Sequence, residues 1–294
     1  LESKKGADMK LKDLRRKYHA HICEQIIRVS GENPGYPNFA DSGNKSSKEI
    51  AWSIVKQFEC KVGKGRISGQ KAGNLFQNIT NDYLSLSFGM LQHIRPGEWL
   101  YATEQDISSF EQYKHLKTIS DLRNEHAELA AYISEDYIVK SDIIVAREKV
   151  SNEELNKLGE VLNPEEASIG KLTSLLKKPE NESDNRILHA SISCKWTIRS
   201  DRSQNTRLEA LNLIRNRKGK LPHIVAVTAE PMPTRIASLA LGTGDLDCVY
   251  HFALNELVNA LEELEKEDQL DMLNTLIEGS RLRDISDLPL DLAV

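Results

Sequence analysis

The stretch Ile187–Ile198 restricts the fold more than any other. Leu188, Ala190, Ile192, Cys194, Trp196 and Ile198 alternate with His189, Ser191, Ser193, Lys195 and Thr197, a period of two that belongs to a strand with one apolar and one polar face. A strand of this kind needs a packed layer against its apolar side. It also aims Ser193 and Lys195 the same way, with Ser191 and Thr197 flanking them. Lysine usually sits on freely solvated surface, so Lys195 on a half-buried strand calls for an anionic neighbour or ligand.

Helical and strand patterns surround this stretch. A helix is predicted over Leu14–Val29, with Ile22, Ile26 and Ile27 on one side, followed by a Gly/Pro/Asn/Ser-rich loop over Ser30–Ser47. Ile50, Ile54 and Phe58 mark a second helix over Lys48–Cys60, and a Gly/Lys turn (Lys61–Gly69) leads into a third that runs through Phe88. On that third helix Gln70, Asn74, Gln77 and Asn81 step by three and four and share one face, which by itself describes a wetted surface. Within Asp136–Ala146 the β-branched run Ile143-Ile144-Val145 follows Asp142 directly, the pattern of a strand with a carboxylate at its start. A helix over Ser203–Arg217 buries Leu208, Leu211 and Leu213 or Ile214; His223–Thr228 is a strand; Asp247–Gly279 reads as helical. The fold class is therefore α/β, a central mixed β-sheet flanked by helices. The chain, 1–294, reads as one domain with an N-terminal helical and loop region, 1–68, and a polar insertion, 147–186.

A chain of 294 residues buries a core without staples. Its four cysteines, Cys23, Cys60, Cys194 and Cys248, form no Cys-x-x-Cys pair and read as reduced thiols. No run approaches the roughly 20 apolar residues of a membrane span, and the polar start lacks a secretory segment, so a cytoplasmic location is expected. Lys+Arg 39 against Asp+Glu 44 gives a net charge of -5, so global charge does not hold a polyanion, and contact with nucleic acid requires a local basic patch.

Two groups of residues carry chemistry. Arg199 and Arg202 suit guanine O6 and N7 and Asp201 suits the cytosine amine, which together read G·C pairs in a major groove; Arg207, Arg215, Arg217, Lys218 and Lys220 supply the patch. The same residues also describe a salt-bridged helix end in water. Asp142 and Glu209 offer two carboxylates to a site beside Lys195, the donors of a Mg²⁺ site for phosphodiester hydrolysis. A structural ion-pair network accounts for those three residues equally well.

Four strings add a resemblance. His-Ala-Ser-Ile-Ser-Cys-Lys-Trp-Thr-Ile-Arg-Ser-Asp-Arg (His189–Arg202), Arg-Asn-Arg-Lys-Gly (Arg215–Gly219), Leu-Gly-Thr-Gly (Leu241–Gly244) and Asp-Ile-Ser-Asp-Leu-Pro-Leu-Asp-Leu-Ala-Val (Asp284–Val294) resemble the NgoMIV family of type II restriction endonucleases. That family is a variant of the PD-(D/E)xK nucleases in which the second acid has moved from the catalytic strand to the next helix. The resemblance implies a restriction-endonuclease-like core in which Asp142 is the metal-binding acid and Cys194 lends its main-chain carbonyl to the metal. Ser193 stands where other members of the superfamily keep an acid, Lys195 is the catalytic lysine and Glu209 the displaced acid. It further implies that Arg199, Asp201 and Arg202 read an inner CCGG, that Gln70 in the Gly69-Gln70 pair reaches the minor groove, and that Asp41 and Arg235 contact the outer G·C pairs. The expected target is then GCCGGC in double-stranded DNA, the cofactor a pair of Mg²⁺ ions, and the assembly a homotetramer of back-to-back dimers cutting two sites together.

One departure stands out. Where the family helix carries Phe-Glu and sends the Glu to the active site, this chain has Gly73-Asn74-Leu75-Phe76-Gln77. Gln77 removes a negative charge, and an amide oxygen attracts a divalent cation less than a carboxylate does. Two competing readings follow: a DNA-binding module that recognises the same site without cutting it, and a nuclease directed by DNA structure, which has no use for the Arg-x-Asp-Arg string.

Overall fold

The computed structural model describes residues 9–31, 35–58, 60–63, 65–132, 137–163, 165, 169–170, 172–177, 185–242 and 244–294, with the backbone alone at 127, 129–130 and 200–202. In chain order its elements are α1 (Leu11–Gln25), β1 (Val29–Ser30), β2 (Tyr36–Pro37), α2 (Lys45–Gln57), α3 (Gly69–Gly89), β3 (Trp99–Asp106), α4 (Lys114–Glu125), α5 (Ala127–Tyr132), β4 (Lys140–Arg147), α6 (Asn152–Leu155), β5 (Ile187–Lys195), α7 (Ser200–Asn216), β6 (His223–Thr228), α8 (Pro233–Ala240), β7 (Cys248–His251), α9 (Leu254–Glu263), α10 (Glu267–Glu278), β8 (Leu282–Asp284) and α11 (Leu288–Asp291). β3 to β8 form a six-stranded sheet in the order β3-β4-β5-β6-β7-β8, and β1 and β2 a separate pair. The sheet is mixed, because β3 and β4 are antiparallel while β6, β7 and β8 are parallel. This is the α/β class expected from the sequence.

The chain divides into two compact units, one of Leu1–Pro96, Ile192–Ala210 and His223–Val294, the other of Gly97–Ser191 and Leu211–Pro222. In the first, α1 packs on α3, α2 on α9 and α8 on α10. β6 and β7 lie in register from Val225↔Cys248 to Thr228↔His251, and β7 and β8 from Val249↔Leu282 to His251↔Asp284. In the second, β3 and β4 pair from Trp99↔Arg147 to Asp106↔Lys140. The Gln112 side chain there acts as a short strand partner to the start of β5: its Nε2 donates to the Leu188 carbonyl at 2.7 Å and its Oε1 accepts the Leu188 N–H at 2.9 Å.

Several expectations need correction. Helix α1 stops at Gln25 and Val29 belongs to β1, while α2 begins and ends three residues earlier than expected, capped by Asn44, whose side chain accepts the Ser47 N–H. The segment expected to be helical from Asp247 opens instead with β7, four residues that are all buried. A parallel strand covered on both faces shows no alternation and is too short to be told from a helical turn by pattern. β5 ends at Lys195 and its polar side is not uniformly wet: His189 is buried against Trp99 and Ser191 bonds Ser141 at 2.7 Å. The buried side of α7 is Ser203, Thr206, Ala210 and Leu213, whereas Leu208 is 51% exposed.

The cysteines differ too. Cys23 and Cys60 form a disulfide, 37 residues apart in sequence with Cα atoms 6.3 Å apart, while Cys194 and Cys248 are free and buried. The pairing comes from tertiary placement, which spacing does not encode: the Gly63 N–H donates to the Cys23 carbonyl at 3.2 Å and holds the segment after α2 beside the end of α1. No helix among the described residues is long and apolar enough to cross a membrane.

Candidate active site and nucleic-acid interface

The end of β5 is oriented by one aromatic residue. Trp196 is buried and its ring meets those of Phe76, Phe39 and Phe252 edge-on at 5.2, 5.5 and 6.0 Å. Aromatic pairs of this geometry contribute about 0.5–1.5 kcal/mol each beyond their burial. A slip of one residue would exchange every side chain between faces, so this anchor sets which residues turn outward. Cys194, Trp196 and Ile198 are buried; Ser193, Lys195 and Thr197 between them are half-buried. The Lys195 carbonyl accepts the Ala229 N–H at 3.3 Å, which fixes the end of β5 beside the residue that follows β6.

α7 supplies the next layer. The Thr206 hydroxyl lies 3.4 Å from that of Ser193. Glu209, three residues further along α7 and hence neighbouring Thr206 on the helix surface, is half-buried. On α3 the polar face changes character along its length. Gln70 and Asn74 are exposed, but Gln77, next to the fully buried Phe76, is only 7% exposed. The expectation of a wetted face therefore fails at Gln77. Ser193, Cys194, Lys195, Glu209 and Gln77 all belong to the first unit.

Asp142 belongs to the second unit, half-buried as the third residue of β4. The β3 position facing it is Glu104, a non-glycine residue at φ 54°, flanked by the pairs Thr103↔Ile143 and Gln105↔Ser141. Among the described residues no three His, Cys, Asp or Glu side chains gather into a metal cage. Mg²⁺ does not require such a cage, since it takes hard oxygen donors such as the Asp142 carboxylate and keeps several waters. The Cys194 thiol is buried, and as a soft donor it does not suit a hard ion.

Beyond Trp196 the chain enters a cleft of about 960 Å³ in the first unit, bordered among others by Asp41, Arg199, Gln204, Arg207 and Arg235. Asp41 accepts the Gly43 N–H at 2.9 Å and a hydrogen bond from Arg235; these two, the N–H foremost, hold its carboxyl below the ordinary aspartate range. Its own N–H donates to Ser47 at 2.9 Å. Arg199 is exposed, and its carbonyl accepts the Ser203 N–H at 3.0 Å in the first turn of α7. The structure thus brings Asp41, Arg199 and Arg235 to one cleft. The Asp201 and Arg202 side chains lie outside the described residues. Gln70 stands in the first turn of α3, after the cap Ser68.

The expected basic patch is divided. Arg207 borders this cleft and its guanidinium is held by Asp245 at 3.0 Å. Lys218 and Lys220 instead border a separate pocket of about 350 Å³ in the second unit, with Lys114, His115 and Glu111. Sequence reasoning also missed Glu230, a buried acid that accepts the Ile198 N–H at 2.9 Å. Its available signal was a lone carboxylate closing an apolar strand just before Pro231 and Pro233.

Comparison with known proteins shows the family. The family model described as the NgoMIV restriction enzyme matches residues 18–294. The type II restriction enzyme NgoMIV of Neisseria gonorrhoeae is 44% identical over 285 residues, spanning 95% of this chain and 97% of that protein. Among solved structures, the type IIF restriction endonuclease Bse634I with cognate DNA covers 86% of this chain and 91% of its own, at 13% identity and a TM-score of 0.41, a likeness too distant to carry any argument.

Proposed function

Because the chain belongs to the NgoMIV family of type II restriction enzymes, we propose that it hydrolyses double-stranded DNA in a Mg²⁺-dependent reaction at GCCGGC, leaving 5′-phosphate ends. The observation that carries this reading is the continuity of chemistry with recognition along one short segment. Lys195 ends β5, and Arg199, four residues on, borders the cleft that also holds Asp41 and Arg235. Four residues span at most about 14 Å even when fully extended. Even with both side chains extended, a phosphate beside Lys195 then lies within about one helical turn of a base read by Arg199, as cleavage at the recognised sequence requires.

In this reading Asp142 and the Cys194 carbonyl would hold Mg²⁺, which supplies Lewis acidity and makes water a competent nucleophile near neutral pH. Lys195 sets its ammonium against the charge that builds on the phosphoryl oxygens. Ser193 and Glu209 orient the attacking water from the strand and from α7. Water adds to phosphorus as the bond to the 3′ oxygen breaks, and the 3′ oxygen leaves with a proton. Arg199, Asp201 and Arg202 read the inner pairs, Asp41 and Arg235 the outer ones, and Gln70 the minor groove. A palindromic target calls for at least two-fold symmetry, and the proposal includes a homotetramer cutting two sites together.

Gln77 favours one competing reading, site-specific binding without cleavage. Asp142→Asn and Lys195→Ala separate the two. The nuclease reading expects each variant to lose cleavage by several orders of magnitude in Mg²⁺ while still shifting a GCCGGC duplex in Ca²⁺. Wild-type cleavage by either variant would refute the assigned roles.

A further inference from the structure

Glu230 follows β6 after a single residue and is 1% exposed. Its carboxylate is occupied mainly by backbone. Oε2 accepts the Ile198 N–H at 2.9 Å and Oε1 the Met232 N–H at 3.2 Å, while the Arg235 guanidinium stands 3.9 Å from Oε1. Glu230 is itself held in place. Its N–H donates to the Thr228 hydroxyl at 3.1 Å, and its carbonyl receives Nε2 of His251 at 3.2 Å. His251 Nδ1 accepts the Ala253 N–H, which puts the ring proton on Nε2.

The two N–H groups it grips belong to different arms of the cleft. Ile198 immediately precedes Arg199. Met232 is the N-cap of α8, which carries Arg235, and Arg235 in turn bonds Asp41. A buried carboxylate is expensive to keep, and above about pH 7, where Glu230 is ionised, a neutral side chain of the same shape does not replace it. Glutamine offers one acceptor oxygen for two N–H donors and turns its NH₂ toward the other.

We propose that Glu230 is a positioning residue that sets the arm of Arg199 and the arm of Arg235 and Asp41 relative to each other, so that discrimination at inner and outer base pairs depends together on a group that touches no base. This rests on the base-reading roles given to Arg199, Arg235 and Asp41 above.

The test measures binding of the full chain in Ca²⁺, at about pH 8 where Glu230 is ionised, to three duplexes: GCCGGC, a version changed at an inner pair, and one changed at an outer pair. Arg199→Ala should lose discrimination at the inner pair alone and Arg235→Ala at the outer pair alone. Glu230→Gln should lose roughly tenfold at both while melting cooperatively. If the arginine variants behave so and a folded Glu230→Gln discriminates like wild type, the coupling is wrong and the base-reading roles survive. If the arginine variants keep full discrimination, those roles fail and the coupling falls with them. Amide exchange in the wild-type protein gives a check that needs no variant. The Ile198 and Met232 amides should be protected to a similar degree, and an Ile198 amide exchanging at the rate of an open loop overturns the link.

Discussion

Gln77 lies buried next to Phe76 on α3, and the resemblance implies a glutamate at this position. Restoring the charge should strengthen Mg²⁺ binding, so Gln77→Glu is expected to cut faster and to reach half its maximal rate at lower Mg²⁺. Superimposable rates across a Mg²⁺ titration would remove Gln77 from the active site. A second residue-scale expectation concerns Glu230. Burial pushes its pKa up to about 7 from an ordinary 4.5, against the opposing pull of the Ile198 N–H, Arg235 and the Met232 N–H. Between those values the folded chain keeps a proton that the unfolded chain has released, so stability at this site falls as pH rises through that window. The fall is on the order of 3 kcal/mol, and Glu230→Gln abolishes it. The unfolding free energy of the variant relative to wild type should therefore rise by about that much from pH 4.5 to pH 8, and a pH-independent difference would contradict the protonation. The alternation of β5 made the half-buried placement of Ser193 and Lys195, between buried Ile192, Cys194 and Trp196, legible in the sequence. Glu230 was not legible, since nothing local distinguishes an acid that ends a strand in water from one that grips two distant N–H groups.

At the scale of elements, α1 is clamped to the C-terminal part of the chain by a single guanidinium. Arg15 donates to Glu256 at 2.7 and 2.6 Å and to Asp284 at 2.8 Å through two nitrogens. Burial alone would raise both carboxylates, but Arg15 outweighs it and holds them below the ordinary range. Arg15→Ala leaves two largely buried charges without their partner and should cost about 3–5 kcal/mol, read by denaturant unfolding at neutral pH. A loss below about 1 kcal/mol would mean that the clamp behaves as a surface pair. Elements with clear periodicity, α3 and β5 above all, were legible in the sequence. β7 and β8 were not, because parallel strands of four and three residues carry no alternation to read. The Cys23–Cys60 disulfide stayed hidden for a different reason, as it depends on how α1 and the segment after α2 meet.

For the whole molecule, a net charge of -5 leaves DNA binding to local features, and the cleft gathers Arg199, Arg207 and Arg235 against that background. The α/β class followed from the order of helical and strand patterns. The division into two units did not, because the chain crosses between them within β5 and again within α7, where the local pattern runs on without a break. The central claim is cleavage at a defined sequence. Incubating linear DNA that carries one or two GCCGGC sites with the protein, in Mg²⁺ and separately in Ca²⁺, tests it most directly. Discrete fragments with 5′-phosphate ends at those sites are expected in Mg²⁺, formed faster when two sites are present, with an intact shifted band in Ca²⁺. DNA that stays bound and uncut in Mg²⁺, or is cut without regard to sequence, would contradict it.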